Sequence, residues 1–336
     1  MVNLEVLQGA LVPNHKIIIT THYKPDGDAL GSSLAVYHWL KNKGLQVEVV
    51  VPSDFPAFLD FLPGRENVHN YLTQPALYDR WIAEADVIIG LDFNGLSRIN
   101  AMENAVRNAS ASKIMVDHHL EPEGFDDWRY WDPKAAATAQ LVYKLIHDEM
   151  KQGDEITADI ATCLYTGIMT DTGSFRFRST TDEVHEIIAD LLRKGAPNTW
   201  IHEQVYNSSS ENRLKFLGHC LLNRLEVLPE FNTALFSVSK EDLAMFDVAT
   251  GETEGLVNYA LSLKGIQLAA LIIDRGELIK LSLRSVGDFP CNELCRDHFN
   301  GGGHLNAAGG NATGSLEEVV SRFKSILPLY QHLLIK

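Results

Sequence analysis

Cysteine is scarce in this chain. Its 336 residues include four, Cys163, Cys220, Cys291 and Cys295, at spacings that fit neither a zinc cluster nor a redox pair. A disulfide scaffold and a structural zinc fold are therefore not expected, and buried, idle thiols in a reducing compartment are. Long apolar runs are missing too. None reaches the roughly 20 residues that span a bilayer, and residues 1–16 lack the basic start and apolar core of a secretory signal. A soluble, cytoplasmic protein with no membrane partner is expected. Positive charge is in deficit: 29 Lys and Arg stand against 44 Asp and Glu, a formal charge of -15. Affinity for a long nucleic acid comes mostly from phosphate neutralisation, so this balance argues against a track for long strands. A short anionic substrate remains compatible, because divalent ions held by several Asp residues make the local field positive. Internal repeats and low-complexity tracts are also absent.

What is present is enough apolar material, 45% of the chain, to build real cores, over a length that suggests two domains. The first half alternates strand-like runs at 16–20, 47–51, 87–91 and 113–116 with helical stretches such as 29–43, which stops at Gly44. The runs are continuous rather than alternating, as in buried parallel strands, and their alternation with helices implies βαβ units. Further helices are expected at 135–150, 158–169 and 182–192. Beyond residue 225 the texture changes to strands at 225–228, 233–238, 268–274 and 277–284, closed by a helix at 316–327. The expected architecture is α/β. A doubly wound parallel sheet occupies 1–194, a helical linker 195–225, and a smaller mixed α+β domain 226–336.

Three of the four strand-like runs of the first half are followed by the same kinds of residue. After the first come His22, Asp26 and Asp28; after 87–91 comes Asp92; after 113–116 come Asp117, His118 and His119. Asp171 ends the helix at 158–169. Taken singly, each has a plain reading as a turn former or helix cap, with Asp28 the obvious cap candidate. Together, at the carboxyl ends of parallel strands where ligands bind in open sheets, they point to one site. Asp26 and Asp28 lie two apart in one loop and are able to serve adjacent ions, while Asp92 can bridge two ions through its two oxygens. A mixed imidazole and carboxylate shell suits Mn²⁺, Co²⁺ or Zn²⁺ better than Mg²⁺ or Ca²⁺. Two such ions about 3.5–4 Å apart can acidify a bridging water and stabilise displacement at phosphorus.

The second half holds GGGHLNAAGG at 301–310. Glycine lets backbone N–H groups approach a phosphate closely, and His304 and Asn306 add side-chain donors. A flexible turn is the plain alternative. Arg284, at the end of the strand at 277–284, is a candidate phosphate clamp because its fork can hold two oxygens.

His22-x-x-x-Asp26-x-Asp28, Asp92, Asp117-His118-His119 and Asp171 resemble the four motifs of the DHH phosphoesterases. The segment 301–310 resembles the glycine-rich signature of the DHH-associated domain that follows in one branch. The set runs in order over nearly the whole chain, in the compact two-domain form of the bacterial nano-RNase and pAp phosphatase branch. The resemblance implies two divalent ions, Mn²⁺ foremost. His22, Asp26 and Asp92 would hold the first, and Asp28, Asp92, His118 and Asp171 the second. Asp117 would orient the ligands and His119 would face the scissile phosphate. Gly302, Gly303, His304 and Asn306 would close over the substrate, and Arg284 and Arg98 would grip phosphate. The implied activity is hydrolysis of oligoribonucleotides of about 2–5 residues, a length read from the family and the missing basic track, and of 3′-phosphoadenosine 5′-phosphate. The rivals are a linear or cyclic dinucleotide phosphodiesterase, a manganese pyrophosphatase (whose second domain lacks GGGH), a long-strand exonuclease, and a nucleotide-binding module with a spent metal site. Oligomeric state is not readable.

Overall fold

The computed structural model describes residues 4–249 and 251–335; the outermost residues of the two expected domains, 1–3 and 336, lie outside it, as does Thr250. The chain divides into two compact units between Ser208 and Ser209.

The first unit is built on a six-stranded sheet: β1 (Lys16–Thr20), β2 (Gln46–Val51), β3 (Val68–Asn70), β4 (Val87–Leu91), β5 (Ser112–Asp117) and β6 (Trp128–Trp131). Its order is β3-β2-β1-β4-β5-β6, and every pairing is parallel. The apolar runs are continuous because both faces are covered. Ile17 and Ile19 of β1 enter one core with helices Gly27–Asn42, Thr138–Lys144 and Ala158–Asp171, while Ile18 enters the other with helix Pro75–Ala83. The edge strands β3 and β6 were not legible in the sequence, being only three and four residues long. The helix expected at 135–150 starts later, at Thr138, because Ala137 is extended. It continues through a π-helical turn, Leu145–Glu149.

The second unit carries β7 (Leu225–Leu228), β8 (Thr233–Val238), β9 (Leu268–Asp274), β10 (Ile279–Ser285), β11 (Gly302–His304) and β12 (Ala307–Ala312). The order is β11-β12-β10-β9-β8-β7, with only β8 and β9 parallel. One face packs on helices Cys291–Phe299 and Leu316–Ile326; the β8–β9 part of the other packs on helices Glu211–Asn223 and Leu256–Leu261. The glycine segment is thus a β-hairpin and not a flexible turn. Poor strand propensity hid it, and pairing with β10 overrides that propensity.

The stretch 195–225 is helical, as expected, but most of it belongs to one core or the other. Ile201 and Val205 of helix Asn198–Tyr206 are buried in the first unit, and Phe216 and Cys220 of helix Glu211–Asn223 in the second. All four cysteines are free and buried, and burial pushes the Cys291 thiol up to about 11. Among the described residues no helix is long and apolar enough to cross a membrane.

Candidate metal centre

The strand order of the first sheet reverses between β1 and β4, and a crevice opens beyond the carboxyl ends of strands at such a switch point. His22 follows β1, Asp92 follows β4, and Asp117 ends β5 with His118 and His119 behind it. Asp26 caps the helix Gly27–Asn42, its Oδ1 accepting from the Asp28 and Ala29 amides at 3.0 Å each. The cap role expected of Asp28 therefore falls to Asp26. Asp28 lies inside the first turn, is buried, and accepts from the amides of Thr138 at 2.6 Å and Ala139 at 2.9 Å. It thereby serves the start of another helix, whose own cap residue, Ala137, has no side-chain acceptor to offer.

Asp92 stands between two groups. Its Oδ2 is 3.4 Å from His22 Nε2, and its Oδ1 is 3.6 Å from both His118 Nε2 and His119 Nδ1. Its backbone is left-handed, with φ 66°, a conformation that costs free energy outside glycine and clusters at functional sites. His22 Nε2 is also 3.9 Å from Asp26 Oδ2, and His118 Nε2 is 3.9 Å from Asp28 Oδ2 and 3.4 Å from Asp171 Oδ2. Both imidazoles are oriented from behind: His22 Nδ1 lies 3.0 Å from the Tyr23 carbonyl and His118 Nδ1 3.0 Å from the Ala135 carbonyl. A carbonyl only accepts, so Nδ1 donates to it, and Nε2 is the atom left facing the carboxylates, able to ligate a metal once its own proton is lost. His119 Nδ1 donates to Asp117 Oδ1 at 2.8 Å, and the other Asp117 oxygen is buried without a hydrogen-bond partner.

His22, Asp26 and Asp92 form one set of potential ligand atoms lying within 4.8 Å of one another; Asp28, Asp92 and His118 form another, and Asp92, Asp117 and His119 a third. The electrostatics show what such a cluster needs. Burial, then the nearby Asp92 and Asp171, push the Asp28 carboxyl well above its ordinary range. Burial would raise Asp92 as well, but His22, His119 and His118 hold it low. Burial would lower His22 and His118, yet the surrounding carboxylates leave both raised. Burial and then Arg98 lower His119. Buried carboxylates that repel one another, beside imidazoles whose Nε2 atoms ligate once deprotonated, are a donor set that fits divalent cations, and the centre is able to hold them. Arg98 also works through its backbone, its carbonyl accepting from the Tyr23 amide at 2.7 Å.

The other expected residues lie in the second unit. Register pairs Arg284 with Ala307 and Ala307 with His304, so the arginine and histidine lie in one row across β10, β12 and β11. Directly paired residues share a sheet face. Gly303 is required sterically: its φ is 140° and a Cβ would fall 2.5 Å from the Ala307 carbonyl. A Cβ at Gly302 would meet nothing within 4 Å, so no packing demands that glycine. Asn306 departs from its expected role as a donor to ligand. Its side-chain amide donates to Ser285 Oγ at 2.8 Å and the Gly287 carbonyl at 3.0 Å, which occupies both hydrogens in fastening the end of β10.

Sequence reading missed Thr138. Its hydroxyl, fully buried, donates to Asp92 Oδ1 at 3.0 Å. The only signal was a threonine near a helix start, which reads as an ordinary cap.

The DHH family, N-terminal domain, matches residues 16–168, and the DHHA1 domain matches residues 238–328. The bifunctional oligoribonuclease and PAP phosphatase NrnA of Thermus thermophilus is 33% identical over 92% of this chain and 87% of its own length. Its namesake in Bacillus subtilis is 26% identical over 87% of this chain and 88% of its own. The cyclic-di-AMP phosphodiesterase PdeA of Listeria monocytogenes, 24% identical over 94% of this chain, is matched over only 47% of its length. Among solved structures, an exopolyphosphatase-related protein of Bacteroides fragilis superposes with a TM-score of 0.93 at 43% identity, over 99% of this chain and 97% of the other.

Proposed function

This chain belongs to the DHH family of phosphoesterases, with a DHHA1 domain following, and from that premise we propose that it hydrolyses oligoribonucleotides of a few residues and 3′-phosphoadenosine 5′-phosphate. The observation that carries the reading is Asp92, whose two oxygens face two separate sets of ligand atoms. His22, Asp26 and Asp92 would hold one ion, and Asp28, Asp92, His118 and Asp171 the other. The mixed nitrogen and oxygen donors favour Mn²⁺ over Mg²⁺. Such a pair, when bound, acidifies water and draws charge from the phosphoryl oxygens.

The chain's own groups do the rest. Asp117 pins His119 through Nδ1–H, and burial with Arg98 keeps the imidazole neutral. Its Nε2 then carries a lone pair, the atom at which His119 takes up or returns a proton beside the scissile phosphate. Arg98 in the first unit, and Arg284 and His304 in the second, each carry donors suited to phosphate, and the side-chain-free Gly302 leaves its strand open to a close-lying ligand. NrnA relatives are matched along most of their length, which supports the short-oligonucleotide reading over the cyclic-dinucleotide one.

Asp92→Asn is the first test, because asparagine tolerates a left-handed backbone and so separates chemistry from folding. Turnover of a dinucleotide and of 3′-phosphoadenosine 5′-phosphate should fall by more than about 100-fold, the upper end of losses for residues that merely support ligands. Chelation should abolish the wild-type rate, with Mn²⁺ restoring more of it than Mg²⁺. Normal turnover in Asp92→Asn, or hydrolysis confined to a cyclic dinucleotide, would overturn the reading.

A further inference from the structure

We infer that Thr138 is a positioning residue of the metal centre: through its hydroxyl and its backbone amide it holds the two carboxylates Asp92 and Asp28 in the orientation that ions require. The inference rests on the reading of Asp92 as the shared ligand.

Three contacts meet at this residue. Oγ1 donates to Asp92 Oδ1 at 3.0 Å, the Thr138 amide donates to Asp28 Oδ2 at 2.6 Å, and the next amide, Ala139, donates to Asp28 Oδ1 at 2.9 Å. Three residues earlier, the Ala135 carbonyl receives Nδ1–H of His118. One short segment thus orients Asp28, Asp92 and His118, which together form one of the ligand sets. Asp92 has particular need of this support. It sits on a left-handed backbone just past β4, and a mobile carboxylate there would not keep one oxygen toward His22 and the other toward His118. A hydroxyl suits the task better than a cationic donor. It satisfies one lone pair of Oδ1 and leaves the carboxylate's charge intact, whereas a lysine would neutralise that charge and repel the ions. A β-branched side chain also has few rotamers, so burial locks the hydroxyl in place.

The plain alternative is that Thr138 only stabilises the start of its helix. Hydroxyl and packing can be separated. Thr138→Val keeps the shape and loses the O–H, Thr138→Ser keeps the O–H, and both retain the backbone amide that holds Asp28. The readout is Mn²⁺ binding to the full-length protein by titration calorimetry, with the melting temperature alongside, so no substrate is involved. Thr138→Val should weaken Mn²⁺ binding by about 10- to 100-fold, as loss of a ligand-orienting partner does, and Thr138→Ser should recover most of it. Wild-type affinity in Thr138→Val overturns the role of Thr138 and leaves the metal centre standing. Failure of the wild type to bind Mn²⁺ overturns both. If Thr138→Val does not fold, Thr138→Ser against Thr138→Ala makes the same comparison, and equal affinities there overturn the inference.

Discussion

At the scale of single residues, the centre joins groups that are uncomfortable without cations. His22 and His118 are raised by surrounding carboxylates, against the opposing effect of burial. Near the ordinary histidine range of about 6.5 they therefore keep protons in the ion-free protein, and Asp28 keeps one well above the ordinary carboxylate range. A divalent ion requires their deprotonated forms, so binding must expel protons. The sign follows: a raised pKa penalises binding at low pH, and affinity for Mn²⁺ should climb as pH rises from about 6 through neutrality. Calorimetric titrations in buffers of different ionisation enthalpy will count the protons. Release of none, or affinity that falls with rising pH, would show that these groups are not ligands.

Elements act here mainly through close approach. Helices Gly27–Asn42 and Ala158–Asp171 pack where a Cβ at Gly31 would lie 2.5 Å from the Cys163 carbonyl. A Cβ at Gly167 would lie 2.6 Å from that of Ala139 and 2.9 Å from Asp28 Oδ1. The same glycine thus admits the segment carrying Thr138 and leaves room for the Asp28 carboxylate. Gly167→Ala should cost about 1–3 kcal/mol by overpacking and, by displacing Asp28, weaken Mn²⁺ binding. Gly218, in the middle of helix Glu211–Asn223, has nothing within 4 Å of its notional Cβ. Gly218→Ala should raise stability by about 0.5–1 kcal/mol with metal binding unchanged. Denaturant midpoints and calorimetry on the two variants check both claims. A neutral Gly167→Ala would mean that the helix contact does not set the position of Asp28.

For the whole molecule, the acidic balance leads to a prediction about substrate length. A net charge of -15 offers long strands no neutralising track, so gain from added nucleotides should vanish once the terminal phosphate and the scissile bond are bound. Initial rates at fixed salt and Mn²⁺ should be high for a dinucleotide and fall beyond about five residues, since single-strand binding proteins need a basic groove with stacking platforms to follow a chain. A rate that stays flat or rises out to long oligomers would identify an enzyme that tracks along strands.

Which side chains are candidates for the chemistry was legible in the sequence itself. His22, Asp26, Asp28, Asp92, Asp117, His118 and Asp171 each sit at or beside the end of a segment whose apolar character already made it a strand or helix, and hydrophobic patterning is a local property. The edge strands β3 and β6, and the hairpin formed by β11 and β12, were decided only in three dimensions. Short or glycine-rich segments have little preference until a neighbouring strand supplies partners for their amides. The same holds for support of the centre. Thr138 reaches Asp92 and Asp28 across separations of 46 and 110 residues, and it was folding that made Asp26 a cap and Asp28 a partner of a distant helix. A hydrogen bond between residues so far apart leaves no periodicity in the chain, because it depends on where two elements cross and not on what lies next to either residue.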